Sequence, residues 1–245
     1  MLKKILILTV VLLLLAYLAV AMTRLNRQPA DAVCTDLAVT VDADGQEGDF
    51  ITPADIKHLL QKDGLYPKGK KLDSVRCRDI EACLDKSPFI KEAECFKSPT
   101  GQVCVKINQR IPVFRIMADN GEQYYLDSYG TVIPRSGYAA HLPVVTGHVT
   151  QKNAASLLVE LGRCLQNDPF WISQVEQVNV TPDGELEIVP RVGDHIVFLG
   201  KPRDIEGKLA RLRTFYEKAL NKVGWNKYAR ISLEFNNQII CTKNR

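Results

Sequence analysis

Residues 5–22 read ILILTVVLLLLAYLAVAM, without a charge, a glycine or a proline. As a helix rising 1.5 Å per residue the run would be roughly 27 Å long, close to the hydrocarbon thickness of a bilayer. Lys3 and Lys4 precede it, and Arg24 and Arg27 follow it. The positive-inside count is therefore nearly balanced, and the short stub 1–4 with its free amine stays most simply in the cytoplasm. A cleavable export signal is the rival reading, because Ala19-Val20-Ala21 is a small-x-small site after an apolar core. The run exceeds a usual h-region, and arginine follows close behind the site, so the expectation is an uncleaved single-span anchor. Either way, residues from 26 onward lie outside the cytoplasm.

What remains has to fold in water. The 245 residues suffice for one large domain or two modest ones plus an appendage, and 46% hydrophobic with 24% charged residues is ordinary globular composition. This excludes a disordered acidic chain, a collagen-like chain and a multi-span membrane protein. Lys+Arg exceeds Asp+Glu by only 32 to 28. So small an excess makes no basic stripe, and nucleic acid is not an expected partner.

After a linker, 23–31, Val33, Leu37, Val39 and Val41 alternate as one face of a strand over 33–42. Asp44-Gly45 and Glu47-Gly48 are turn pairs. Thr52-Pro53-Ala54-Asp55 starts a helix, with Thr52 as N-cap, Pro53 at N1 and Asp55 closing a capping box. A second helix is expected over 72–85, then strands over 90–97 and 102–108. The order β-α-α-β-β makes a unit of its own. Strands then appear at 113–117, 123–127, 131–133 and 142–147, followed by a helix over 152–166. Three more strands span 175–181, 185–190 and 195–199, with Pro182-Asp183-Gly184 as a hairpin turn. A last helix over 204–222 precedes terminal strands at 230–235 and 238–243.

This order and several short runs resemble the FtsQ/DivIB family of bacterial cell-division proteins. The runs are Ser87-Pro88-Phe89-Ile90, Ala93, Gly101, Val103, Val105, Ile107 and Gln109-Arg110-Ile111-Pro112. Tyr125-Leu126-Asp127, Gly130, Val132 and Pro134 then match the family's Y-L-D-x-x-G-x-V-x-P hairpin, and Leu142-Pro143 ahead of Gly147 its L-P-x-x-x-G. Gln109 stands where the family has an acidic residue. The resemblance implies an α+β chain: stub 1–4, transmembrane helix 5–22, linker 23–31, a POTRA-type domain 32–109 and a β-rich domain 110–245 with flanking helices. It also implies a non-enzymatic divisome scaffold of the inner membrane, without cofactor, sited at the septum with its C-terminal domains periplasmic. Its partners would be FtsB/DivIC-like and FtsL-like coiled-coil membrane proteins and other divisome proteins. The alternative is a secreted POTRA-type module of an envelope transport or outer-membrane assembly system.

The same resemblance points to the chain's end. A terminal strand exposes main-chain groups that a partner strand can pair with. In the family the C-terminal strands form the docking edge for the coiled-coil pair, which here corresponds to Ile231, Leu233, Glu234, Phe235, Ile239 and Cys241. Leu233-Glu234-Phe235 resembles the family's L-R-Y, with Phe235 as an aromatic anchor and Glu234 in place of a basic residue. The plain reading, a closing strand with Phe235 in the core, stands beside it.

Patterns that would carry chemistry are incomplete. Residues 64–71, GLYPKGKK, fit G-x-x-x-x-G-K but place Lys71 where a P-loop needs a hydroxyl for Mg²⁺, and a helix precedes the loop. His58, His141, His148 and His195 have no metal-ligand spacing. Asp127 and Asp183 read as turn formers rather than an acid pair. Seven cysteines follow no C-x-x-C pattern and read mostly as small buried hydrophobes. Strand parity puts Cys95 on the core face and Cys104 on the other, which disfavours a bond between them. Cys34, off its strand's core stripe, leaves a Cys34–Cys104 bond open.

Overall fold

One helix, α1, runs Leu2–Leu25 through the expected span. The computed structural model describes residues 2–25, 32–42, 50–135 and 141–244, with the side chains of 2, 5–8 and 21–25 outside that description. No helix among the described residues is long and apolar enough to cross a membrane. The large apolar side chains Val10 to Leu15, Tyr17, Leu18 and Val20 are nonetheless exposed. Residues 26–31 of the expected linker and the turn pairs at 44–45 and 47–48 lie outside the described residues.

The chain divides into two units, one with residues up to 42 and 51–108, the other with Phe50 and everything from Gln109 onward. In the first unit three strands, β1 (Leu37–Asp42), β2 (Ile90–Lys97) and β3 (Val103–Gln109), form a sheet in the order β1-β3-β2. β1 runs parallel to β3, Leu37 opposite Val103 and Val41 opposite Ile107. A parallel pair needs a long crossover, and helices α2 (Pro53–Lys62) and α3 (Cys77–Leu84) provide it. The capping box at α2 forms as expected: Thr52 Oγ1 accepts the Asp55 N–H, and the Asp55 carboxylate accepts the Thr52 N–H at 2.9 Å. Ile56, Leu60, Ile80 and Leu84 meet Val103, Val105 and Ile107 in the core. Each such side chain contributes roughly 1.5–3 kcal/mol when fully buried.

Two expectations for this unit need correction. The first strand begins at Leu37, not at residue 33, because residues 32–34 are strapped to the loop 69–72. The Cys34 N–H donates to the Lys70 carbonyl, the Leu72 N–H donates to the Ala32 carbonyl, and Val33 bridges Lys71. Strand alternation does not extend into that strap, so Val33 is half-exposed and Cys34 is buried. The Cys34 thiol donates to the Asp36 carbonyl at 3.3 Å, and all seven cysteines are free thiols, so the Cys34–Cys104 pairing does not occur. The second helix is likewise shorter than 72–85. Leu72–Ser74 is a 3₁₀ turn, and Val75 and Arg76 are extended before α3 begins.

The second unit is built on one mixed nine-stranded sheet, which the linear reading did not foresee as a single sheet. Its strands are β4 (Pro112–Ala118), β5 (Gln123–Asp127), β6 (Val132–Pro134), β7 (Val144–Gly147), β8 (Val175–Val180), β9 (Leu186–Pro190), β10 (Ile196–Gly200), β11 (Tyr228–Ser232) and β12 (Ile240–Lys243). The order across the sheet is β12-β11-β10-β9-β8-β7-β4-β5-β6. Two of its parallel pairs follow from its helices, whereas β4 and β7 are parallel across the β5–β6 hairpin. Between β7 and β8 the chain passes through α4 (Ala154–Asn167) and α5 (Pro169–Gln174), and between β10 and β11 through α6 (Ile205–Phe215). Helix α6 continues through a π-helical turn, Tyr216–Leu220. Leu158, Leu161 and Leu165 from α4 join Leu209 and Leu212 from α6 over Val178, Ile188, Val197 and Ile231.

The family-like hairpin has a plain structural cause. Buried Asp127 accepts the N–H groups of Tyr129 at 2.9 Å and Thr131 at 2.7 Å, and pairs with Arg110 at 3.1 Å. Gly130 sits at φ +84°, where a Cβ would lie 2.7 Å from that of Ala155 on α4. At the end of β7, a Cβ on Gly147 would lie 2.2 Å from the Val180 carbonyl oxygen. Gly130 thus lets the hairpin lie against α4, Gly147 lets β7 lie against β8, and Asp127 closes its own turn.

Candidate functional site

β12 is the last strand of the nine-stranded sheet, and no described residue pairs with it on its outer side. It runs antiparallel to β11, with Ile231 opposite Cys241 and Ser232 opposite Ile240. Alternation divides the candidate residues into two sets. Ile231 and Leu233 are fully buried, and Ile239 and Cys241 pack in part against the same core. Their side chains fix the position of the edge and do not face an incoming partner. Burial raises the Cys241 thiol's pKa. Glu234 is exposed, and Phe235 is 49% exposed, which places it outside the core. Ile240, 47% exposed, also faces outward and is not among the expected residues. Its signal was present in the pair Ile239-Ile240, since two adjacent strand residues cannot both face inward.

The bend that carries Phe235 is held by one side chain. Arg211 on α6 donates through Nη1 to the Phe235 and Asn236 carbonyls and through Nη2 to the Leu233 carbonyl, the last at 3.1 Å. The Leu233 N–H donates to the Phe198 carbonyl at 2.8 Å, extending the β10–β11 ladder. Next to the bend lies a groove of about 560 Å³ between α6 and residues 236–239, lined by Ala210, Thr214, Phe215, Lys218 and Ile239 among others. Buried Lys208 braces the preceding loop by donating to the Lys201 carbonyl at 2.9 Å, and burial lowers its ammonium pKa. Nothing in the sequence marks Arg211, since an arginine on the polar side of an amphipathic helix is commonplace.

The residues weighed for chemistry do not assemble. In the 64–71 loop, Lys70 Nζ donates to the Gly64 carbonyl at 2.7 Å and Lys68 pairs with Asp36 at 3.3 Å, so both ammonium groups are used inside the loop's own surroundings. His58 lies on α2, His148 pairs with Asp119 at 3.0 Å, and His195 is buried against Tyr216. Among the described residues no group of three or more His, Cys, Asp or Glu side chains is placed to hold a metal ion. The arrangement offers main-chain pairing and apolar contact at one edge.

Comparison with known proteins agrees with this architecture. A model of the POTRA-like domain matches residues 32–108. A relative, the cell division protein FtsQ of Rhodothermus marinus (strain ATCC 43812 / DSM 4252 / R-10), is 27% identical over 167 residues, or 62% of this chain. The matched part spans 60% of that relative's own length. The model described as "FtsQ/DivIB, C-terminal related" matches residues 111–242, from the start of β4 to within β12. On that match, which covers more than half of its length, the chain belongs to the FtsQ/DivIB C-terminal related family.

Proposed function

We propose that this chain is a non-enzymatic scaffold of bacterial cell division that recruits FtsB/DivIC-like and FtsL-like membrane proteins through the free edge of β12, linking early division proteins to septal wall synthesis. Helix α1 anchors it in the inner membrane through residues 5–22, with the N-terminus cytoplasmic and both folded units periplasmic at the septum. Family membership and the FtsQ relative support the cell-division role. The apolar side chains that α1 leaves exposed support the anchor, since such a surface is costly in water at roughly 25 cal/mol per Å².

The observation that carries the proposal is the unpaired β12 edge flanked by the exposed side chains of Phe235 and Ile240. An incoming strand satisfies the edge's main-chain groups, and the two exposed side chains supply apolar contact and register. An aromatic anchor of this kind costs about 2 kcal/mol or more when removed from an interface. Phe235→Glu is therefore expected to weaken capture of the FtsB-like and FtsL-like proteins of the same organism at least about thirtyfold. Because Phe235 is outside the core, the variant's unfolding midpoint should match the wild type. Unchanged affinity in a folded variant refutes the docking edge.

A further inference from the structure

Three cysteines of the first unit, Cys77, Cys95 and Cys104, come near one another although they are apart in sequence. Cys77 is the first residue of α3, half-buried and packed against the core, and Cys95 lies on the core face of β2. Cys77 lies near enough to the Cys95 thiol to perturb its ionisation. An independent contact fixes the same approach: Glu81 accepts the Cys95 main-chain N–H at 2.7 Å. Residues 77 and 81 are one turn apart on a helix and share a face, so that face of α3 lies directly over Cys95. Two other thiols in the unit are engaged by oxygen instead, Cys34 by the Asp36 carbonyl and Cys83 by the Asp63 carboxylate. Cys104 lies on the alternate face of β3, between the buried Val103 and Val105.

We propose that Cys77 and Cys95 are an oxidation site that closes to a disulfide when the domain meets a disulfide-bearing oxidant, stapling the start of α3 to β2. It rests on the periplasmic placement above only for the source of that oxidant. Half-exposed Cys77, as its thiolate, attacks one sulfur of an external disulfide, R–S–S–R, and releases one thiolate RS⁻. The Cys95 sulfur then attacks the Cys77 sulfur of the mixed disulfide and expels the second RS⁻. Two electrons pass from the cysteine pair to the reagent, and the two thiol protons end on two molecules of RSH. Cys77 is the more accessible of the two and so is the entry point, while burial first, and the nearness of Cys77 next, hold the Cys95 thiol far above its ordinary range.

The sequence makes the test clean, because trypsin cuts after Arg76, Arg78, Lys91 and Lys97 and leaves the two cysteines in separate peptides, 77–78 and 92–97. The full chain in detergent is reduced, freed of reductant, incubated with oxidised glutathione, quenched with N-ethylmaleimide in denaturant and digested without reduction. The expected product is peptide 77–78 joined to peptide 92–97 with the loss of two hydrogens, and near-complete loss of alkylation at both residues. A stable glutathione adduct on Cys77 with Cys95 alkylated overturns the proposal, as does Cys95 bonded to Cys104. Quenching intact cells before lysis separates the two readings. Linked peptides there support both, whereas free thiols in cells combined with linkage in vitro overturn the periplasmic placement and leave the pairing standing.

Discussion

His195 shows how a buried polar residue ties stability to pH in this fold. It is 1% exposed, its Nε2 is 2.9 Å from the Tyr216 hydroxyl, and it stacks near Trp225 with ring centroids 6.5 Å apart. Burial lowers its pKa below the ordinary histidine value, and the Trp225 carbonyl and Asp194 offset only part of that effect. Above the unfolded pKa, near 6.5, both states are neutral and the shift costs nothing. As pH falls below about 6.5 the unfolded chain binds a proton that the folded chain refuses, so stability falls with a slope of at most about 1.4 kcal/mol per pH unit. Urea unfolding of the wild type should therefore lose more stability between pH 7 and pH 5 than unfolding of His195→Gln does. Equal losses in the two proteins would show that folded His195 binds a proton as readily as the unfolded chain does.

Glycine marks the places where elements meet closely, and the hairpin between β5 and β6 gives a measurable contrast. Gly130 combines φ +84° with a Cβ position 2.7 Å from the Ala155 Cβ and 2.9 Å from Val159 Cγ2, whereas Gly121 has φ +86° and open space. Gly121→Ala should cost about 1–2 kcal/mol, the left-handed backbone term alone. Gly130→Ala adds overpacking against α4 and should cost roughly 2–5 kcal/mol. Denaturant midpoints of the two variants distinguish these terms, and equal costs would remove the close approach as the reason for the motif's glycine. The sequence made this hairpin legible because its signal is local: Asp127 binds main-chain groups two and four residues ahead of itself. The Thr52–Asp55 capping box was legible for the same reason. Helix α5 carries an equally local signal, Asp168 accepting the Phe170 N–H ahead of Pro169, that the linear reading overlooked. Residues 32–36 misled because alternation says nothing of a strap whose partners, Lys70 and Lys71, lie more than thirty residues away.

The order of strands in the large sheet was not legible, since it depends on which of several crossovers places β7 between β4 and β8, and periodicity carries no such information. The terminal edge was legible only in part. Its position followed from the family likeness, while the exposure of Phe235 and Ile240 depends on how Arg211 holds the bend after β11. The proposed role joins three features at separate places in the chain: an apolar helix, a POTRA-like unit and a sheet edge. A scaffold needs all three on one polypeptide, because the edge recruits partners to the septum only if the anchor keeps it there. A fluorescent protein fused ahead of Met1 tests that coupling directly. The intact fusion, checked by blot, should band at midcell, and adding Phe235→Glu should leave its own banding intact while reducing midcell recruitment of the FtsB-like protein several-fold. A fusion clipped near Ala21, or an intact one spread evenly around the envelope, would separate the folded units from the septum and move the chain to a secreted envelope-transport or assembly role.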